Sequence, residues 1–229
     1  VLIRYKSMEP NPLLMTEEYK NETGSKASQM VMFGDKCFEF QELIKLFEER
    51  EWTINEMSCF LNQSSSVISK SHFICDPIFV NLLENQDFES TLKDKLDKTK
   101  YKGLLMFFPV RINNSWVVYR YYKNDGFIKV YYQKTSNKEE NMKLKESVLF
   151  FGTKICNIIN IKPSISENAF DSRLFKLSTL IVIFFCLKPS KEFKSKVSDP
   201  NDIAEFKQCF YIDILPAVLF SCKPIINSF

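Results

Sequence analysis

The sequence predicts an α+β fold, a central mixed sheet flanked by helices. Three observations carry this. Strand-like apolar runs gather in the middle of the chain, at "KGLLMFFPVRI", "SWVVYRYY" and "FIKVYYQKT". Helical periodicity dominates on both sides of them. The order is therefore helices, then neighbouring strands, then helices, which separates the two element types instead of alternating them.

Taken in order, residues 1–28 are polar and irregular ("MEPNPLLMTEEYKNETGSKASQ") and read as an arm or linker. Residues 29–229 read as a single domain, a size that suits a chain of 229 residues. "MVMFGDKCFEF" reads as a short strand or turn. "FQELIKLFEER" places Phe40, Leu43, Ile44 and Phe47 on one helical face. "EWTINEMSCFLNQSSSVIS" reads as a second helix entered at Trp52, with a Ser-rich loop over Gln63–Ser71. "DPIFVNLLENQ" reads as a helix with Pro77 in its first turn, where a missing N–H costs nothing. The three middle runs follow, the last two joined by "KNDG", whose Asp125-Gly126 pair is a hairpin signal. A helix is expected over Glu139–Phe151, and "KICNIINI" reads as another strand. "ENAFDSRLF" then leads into the apolar helix "KLSTLIVIFFCL". "DPNDIAEFKQCFYIDILPAVLF" closes as one more helix, with Asp199 or Asp202 as its cap.

Composition narrows the function. Net charge is +3, and the lysines are interspersed with acidic residues, as in "STLKDKLDKTKYK". A nucleic-acid binder of unrelated fold would need a clustered basic face, and this distribution supplies none. The seven cysteines include no CxxC pair, so neither a metal site nor a cofactor is expected. Several cysteines sit inside apolar runs, as buried reduced thiols of an intracellular protein do. "VLIRYKSMEPNPLL" does not read as a signal peptide. Leu177–Leu187 is too short to span a bilayer. There is one histidine, His72, so any chemistry needing an imidazole base uses that residue or none.

Three stretches resemble the ubiquitin-like-protein proteases, the Ulp/SENP cysteine protease family, in that family's order. "EWTINEMSCFLN" resembles its "WLNDEVINFYL" helix. "KGLLMFFPVRINNSWVVYRYYKNDGFIKVYYQKTSN" is similar to its strand, His-Trp strand and hairpin run. "SISENAFDSRLFKLSTLIVIFF" resembles the segment in which the nucleophilic Cys opens the central helix. The resemblance spans about residues 31–215 and implies the papain-like, adenain-like Ulp/SENP fold. It also implies where the catalytic groups would fall. The His position is Ser115, the orienting Asp is Gln133, the oxyanion Gln is Ser166, the nucleophile is Ser172, and the glycine after it is Arg173.

Every implied catalytic position is thus substituted. A serine hydroxyl without a base stays protonated and is a poor nucleophile. The expected function is a catalytically inactive member, a pseudoprotease acting as a protein-binding or scaffold module. Its partners would be a SUMO or ubiquitin-like modifier or subunits of a complex, with neither nucleic acid nor membrane. The resemblance suggests an intracellular and more often nuclear protein. The alternative is an active modifier isopeptidase with relocated residues. Cys75 beside His72 in "SHFICDP" has the composition for it, but triad members normally converge from separate elements. Cys75 reads more simply as a small buried hydrophobe and His72 as a structural residue. Trp52, Trp116 and Arg173 are candidates for the ancestral tail tunnel or a partner site, the tryptophans otherwise being core aromatics. Tyr119, Arg120 and Tyr121 are candidates for an interface on an exposed strand face.

Overall fold

The computed structural model describes residues 30–33, 36–64, 72–81, 83, 90, 93, 105–171, 175–187, 200–220 and 223–224. The expected arm at 1–28, Ser172, Arg173 and the two proposed capping side chains, Asp199 and Asp202, lie outside what is described. The elements run β1 (Met30–Phe33), β2 (Lys36–Glu39), α1 (Phe40–Ile44), a 3-10 turn (Lys45–Phe47) and α2 (Ile54–Ser64). β3 (His72–Ile74), α3 (Pro77–Asn81), β4 (Leu105–Ile112), β5 (Ser115–Tyr122) and β6 (Phe127–Gln133) follow. Then come α4 (Lys138–Ile158), β7 (Ile165–Phe170), α5 (Ser178–Leu187), α6 (Pro200–Cys209), a π turn (Phe210–Ile214), α7 (Leu215–Phe220) and β8 (Lys223–Pro224).

The chain divides into two compact units, residues 51–196 and residues 1–50 with 197–229. In the second of these, β1 pairs antiparallel with both β2 and β8. Leu43, Ile44 and Phe47 are buried as expected, but the α-helix ends at Ile44, Phe47 lies in the 3-10 turn, and Leu46 is buried as well. Phe206 and Phe210 stack at 6.1 Å on the last helical segment.

The 51–196 unit is a mixed five-stranded sheet of order β3-β4-β5-β6-β7. Its centre is antiparallel, while β3 runs parallel to β4 and β7 parallel to β6. Asn113 and Asn114, both with positive φ, close the β4–β5 hairpin, the backbone that a two-residue turn requires. At the "KNDG" turn Gly126 has φ 65° with open space around it, and its N–H donates to the Tyr122 carbonyl at 2.9 Å. Side chains alternate across a strand, so each strand supplies two faces. Val117, Tyr119 and Tyr121 join Phe108, Val110, Ile128, Val130 and the buried side of α4 in one core layer. α4 is capped by Asn137, whose side chain accepts the Glu139 N–H at 2.9 Å. Tyr119 Oη donates to the Val148 carbonyl of α4 at 2.7 Å. Gly152 lets α4 approach closely there: a Cβ would lie 2.6 Å from Ile165 Cδ1.

α5 covers the opposite face. Tyr131 of β6 stacks on Phe185 of α5 with centroids 3.9 Å apart. α5 is buried almost all round, from Ser178 through Cys186.

Several expectations need correction. "KICNI" continues α4 instead of forming a strand, because Val148, Phe151, Ile155 and Cys156 keep its buried row. "ISENAF" is an edge strand, β7, where the reading had only a lead-in to the apolar helix. Gln63 and Ser64 are helical, not loop. The closing helix is broken by the π turn at Phe210–Ile214. Tyr119, Arg120 and Tyr121 form no exposed face: they are 0%, 3% and 8% accessible. β5 is central and covered on both sides, so its alternation divides two buried layers.

Candidate functional site at the N-terminus of the buried helix

The first turn of α5 is where separate parts of the 51–196 unit converge. A helix start leaves N–H groups without intrahelical acceptors. Here Glu51 supplies them. Its Oε1 accepts the Ser178 N–H at 2.6 Å and its Oε2 accepts the Thr179 N–H at 2.8 Å. Thr179 Oγ1 donates to the same Oε2 at 2.6 Å and accepts the Trp52 N–H at 2.9 Å. Ser178 Oγ accepts the Trp116 N–H of β5 at 2.6 Å. Trp116 Nε1–H donates to the Trp52 carbonyl at 2.9 Å, which closes the ring of contacts.

The arrangement has a clear electrostatic sense. A carboxylate at a helix N-terminus complements the positive end of the macrodipole. Ser178, Thr179, Trp52 and Trp116 are all buried, so each polar group there needs a partner. Trp52 packs edge-on to Phe60 of α2 at 5.2 Å. Both tryptophans are therefore core aromatics with satisfied polar groups.

The positions implied by the resemblance are distributed unevenly about this turn. Ser115 immediately precedes Trp116 and is half-buried at the start of β5. Gln133 ends β6, its Nε2 3.5 Å from the carbonyl of Lys176, two residues before α5. Ser166 lies elsewhere. It pairs with Lys129, whereas Gln133 pairs with Phe170, so four residues of strand, about 13 Å, separate their levels. Ser172 and Arg173 are outside the described residues; the residue at the start of the described α5 is Ser178.

His72 sits at the other end of α5. It is buried, and its Nε2 lies 3.0 Å from the Cys186 carbonyl. Ser178 and Cys186 are eight residues apart on one helix, about 12 Å along its axis. The His72 ring meets Phe107 edge-on at 5.2 Å, and the Arg120 guanidinium lies over Phe107 at 5.5 Å and Tyr122 at 4.8 Å. Burial lowers the His72 pKa below its ordinary 6.5; the bond to Cys186 pulls it up, and Arg120 pushes it down further. Burial likewise drives the Cys186 thiol up. Cys75 is buried in the opposite core layer. Among the described residues no group of three or more His, Cys, Asp or Glu is placed to hold a metal ion. No helix among them is long and apolar enough to cross a membrane.

Compared with solved structures, the chain is similar to the SUMO protease Ulp1 with its catalytic cysteine oxidised to a sulfinic acid. That match has a TM-score of 0.62 and 13% identity over 90% of this chain and 95% of the other. The sulfenic acid form matches at 0.59 and 12% identity, over 96% and 99%. The fold is that of the Ulp1 protease domain. The C-terminal Ulp1 protease domain in complex with Smt3, the yeast ortholog of SUMO, matches at 0.61 and 12% identity, over 90% and 96%. By sequence, no family model and no curated protein matches.

On this Ulp1-type frame the residue that sequence reasoning missed is Glu51. Its partners lie 127 and 128 residues away in sequence. No local pattern announces such a pairing. The only local hint is an acidic residue at the mouth of a segment otherwise heading into the core.

Proposed function

We propose that the chain is a catalytically inactive, SUMO-protease-like module, a pseudoprotease that binds protein partners as a scaffold in an intracellular, nuclear complex. The observation that carries this reading is the Glu51 carboxylate on the first turn of α5. A cysteine protease uses that helix end, with a neighbouring imidazole, to hold a thiolate. Here an acceptor-only carboxylate caps the Ser178 and Thr179 N–H groups, six and seven residues past the implied nucleophile Ser172, and so adds negative charge to that helix end. The sole histidine is engaged at the far end of the helix. Ser115 and Gln133, the nearest positions implied by the resemblance, offer neither a base nor an orienting carboxylate.

The Ulp1 domain solved with Smt3 makes a ubiquitin-like modifier one class of partner. The burial of Trp52 and Trp116 favours the other class, subunits of a complex, because neither ring lines an open path for an extended tail. Calorimetric titration with free SUMO and ubiquitin, beside a native pull-down read for stoichiometry, tests the reading. A stoichiometric protein complex is expected. Cleavage of a SUMO or ubiquitin fusion at an enzymatic rate would refute it.

A further inference from the structure

In the unit of residues 1–50 and 197–229, the small sheet carries sulfur on its outer face. Burial alternates along β1. Val31 and Phe33 are buried, whereas Met30 and Met32 are 39% and 37% accessible. β1 pairs antiparallel with β2, and the register sets Met32 directly opposite Cys37. Residues directly opposite share a face, and the Cys37 thiol is likewise exposed and free. Three sulfur side chains from two strands thus stand together on one solvent-facing surface.

The register brings these sulfurs within reach of one ion. Directly opposite residues carry Cβ atoms about 4.5–5.5 Å apart, and diagonal ones lie about 7–8 Å apart, still within reach of long side chains. Met32 is opposite Cys37, and Met30 is diagonal to it. Methionine turns about three side-chain bonds, so both thioethers can close on the thiol without moving the backbone. Glu39, opposite Met30, is already tied into the capping box of α1 with Glu42. The donor set selects the ion. Thiolate and thioether sulfurs are soft ligands and favour Cu(I). Zinc takes four ligands drawn from thiolate, imidazole and carboxylate, and of these the face offers only Cys37. The cysteine spacing that argues against zinc does not bear on thioether donors, which here meet the thiol across paired strands.

We propose that Cys37, Met32 and Met30 form a surface site for a soft monovalent ion, Cu(I), with one ion bound per chain. On binding, the Cys37 thiol gives its proton to solvent and a thiolate–copper bond forms. Each thioether adds a lone pair. The copper stays in its reduced state throughout, so no electron changes hands. This site is independent of the protein-binding reading above and lies in the other unit from α5.

The test titrates the whole chain with Cu(I), supplied as its acetonitrile complex under argon, against the chromophoric chelator bicinchoninate. Retention that falls by one equivalent in Cys37→Ser is expected. Met32→Leu keeps the side-chain volume and removes the thioether. It should weaken retention of that equivalent by about tenfold or more, while Cys37 stays reactive toward a thiol reagent. The ε-methyl NMR signals of Met30 and Met32 should shift as the ion is added to the wild type. All three side chains are exposed, so the variants should keep the urea midpoint of the wild type. Equal affinity in Met32→Leu and the wild type would overturn the site, leaving adventitious binding to an exposed thiol. Retention unchanged by Cys37→Ser, or one ion held between two chains, would also overturn it.

Discussion

Glu51 accepts hydrogen bonds from the backbone N–H groups of both Ser178 and Thr179, at 2.6 and 2.8 Å. This one carboxylate joins the segment entering α2 to the start of the most buried helix. Charge-assisted bonds of this kind contribute more than neutral ones. Glu51→Ala is therefore expected to destabilise the fold by about 2–4 kcal/mol, since it strands buried donors. Urea unfolding checks it, with a lower midpoint and an unchanged slope expected. Glu51→Gln keeps one acceptor and should cost less.

Trp116 tests the same ring of contacts from its apolar side. Trp116→Phe retains an aromatic body but leaves the Trp52 carbonyl without the Nε1–H donor it has at 2.9 Å. The expected loss is about 1–3 kcal/mol. Trp116→Ala adds a cavity and should cost about 3–5 kcal/mol. Thermal or urea denaturation of the two variants separates the polar from the packing contribution.

His72 gives the fold a pH dependence with a definite sign. Its pKa in the folded chain is lowered from 6.5, chiefly by burial. As pH falls through 6.5 the unfolded chain takes up a proton before the folded one does, so stability is lost toward acid. Above that value both states are neutral at this site and its contribution is flat. Urea midpoints measured between about pH 7.5 and about pH 5.5 should fall more steeply for the wild type than for His72→Gln.

Tyr132 predicts an alkaline effect. Burial, then the bond its hydroxyl makes to Glu167, pushes its pKa up to about 12. Burial holds Tyr119 and Tyr131 well above their ordinary value too. Titration by ultraviolet phenolate absorbance should show these hydroxyls ionising only near about pH 12 or together with unfolding. Tyr132→Phe should remove one phenol from that late phase.

The legibility of this fold follows the range of its interactions. β4, β5 and β6 are readable because they are local: apolar runs separated by turn residues such as Asp125-Gly126. α4 is readable at its start, where Asn137 caps it, but its last turns carry Ile155, Cys156 and Ile158, a run that also suits a strand. β7 is short, and Glu167 and Asn168 depress its strand signal. It exists because β6 pairs with it, which is tertiary context. The misjudged face of β5 has the same origin. Alternation shows that a strand has two sides, but only the placement of α4 and α5 shows that both are covered. At the site, Trp52 and Trp116 were legible as landmarks. Glu51, Ser178 and Thr179 were not, since their pairing depends on chain segments far apart in sequence.

We propose that this chain, on its Ulp1-type fold, does no acyl-transfer chemistry. Incubation of the whole chain with SUMO and ubiquitin vinyl-sulfone probes, followed by intact-mass measurement, tests it most directly. The account predicts unmodified chain under conditions in which an active SUMO protease is fully labelled. A covalent adduct that disappears on Ser172→Ala, Ser178→Ala or Cys75→Ala would contradict it and identify the nucleophile.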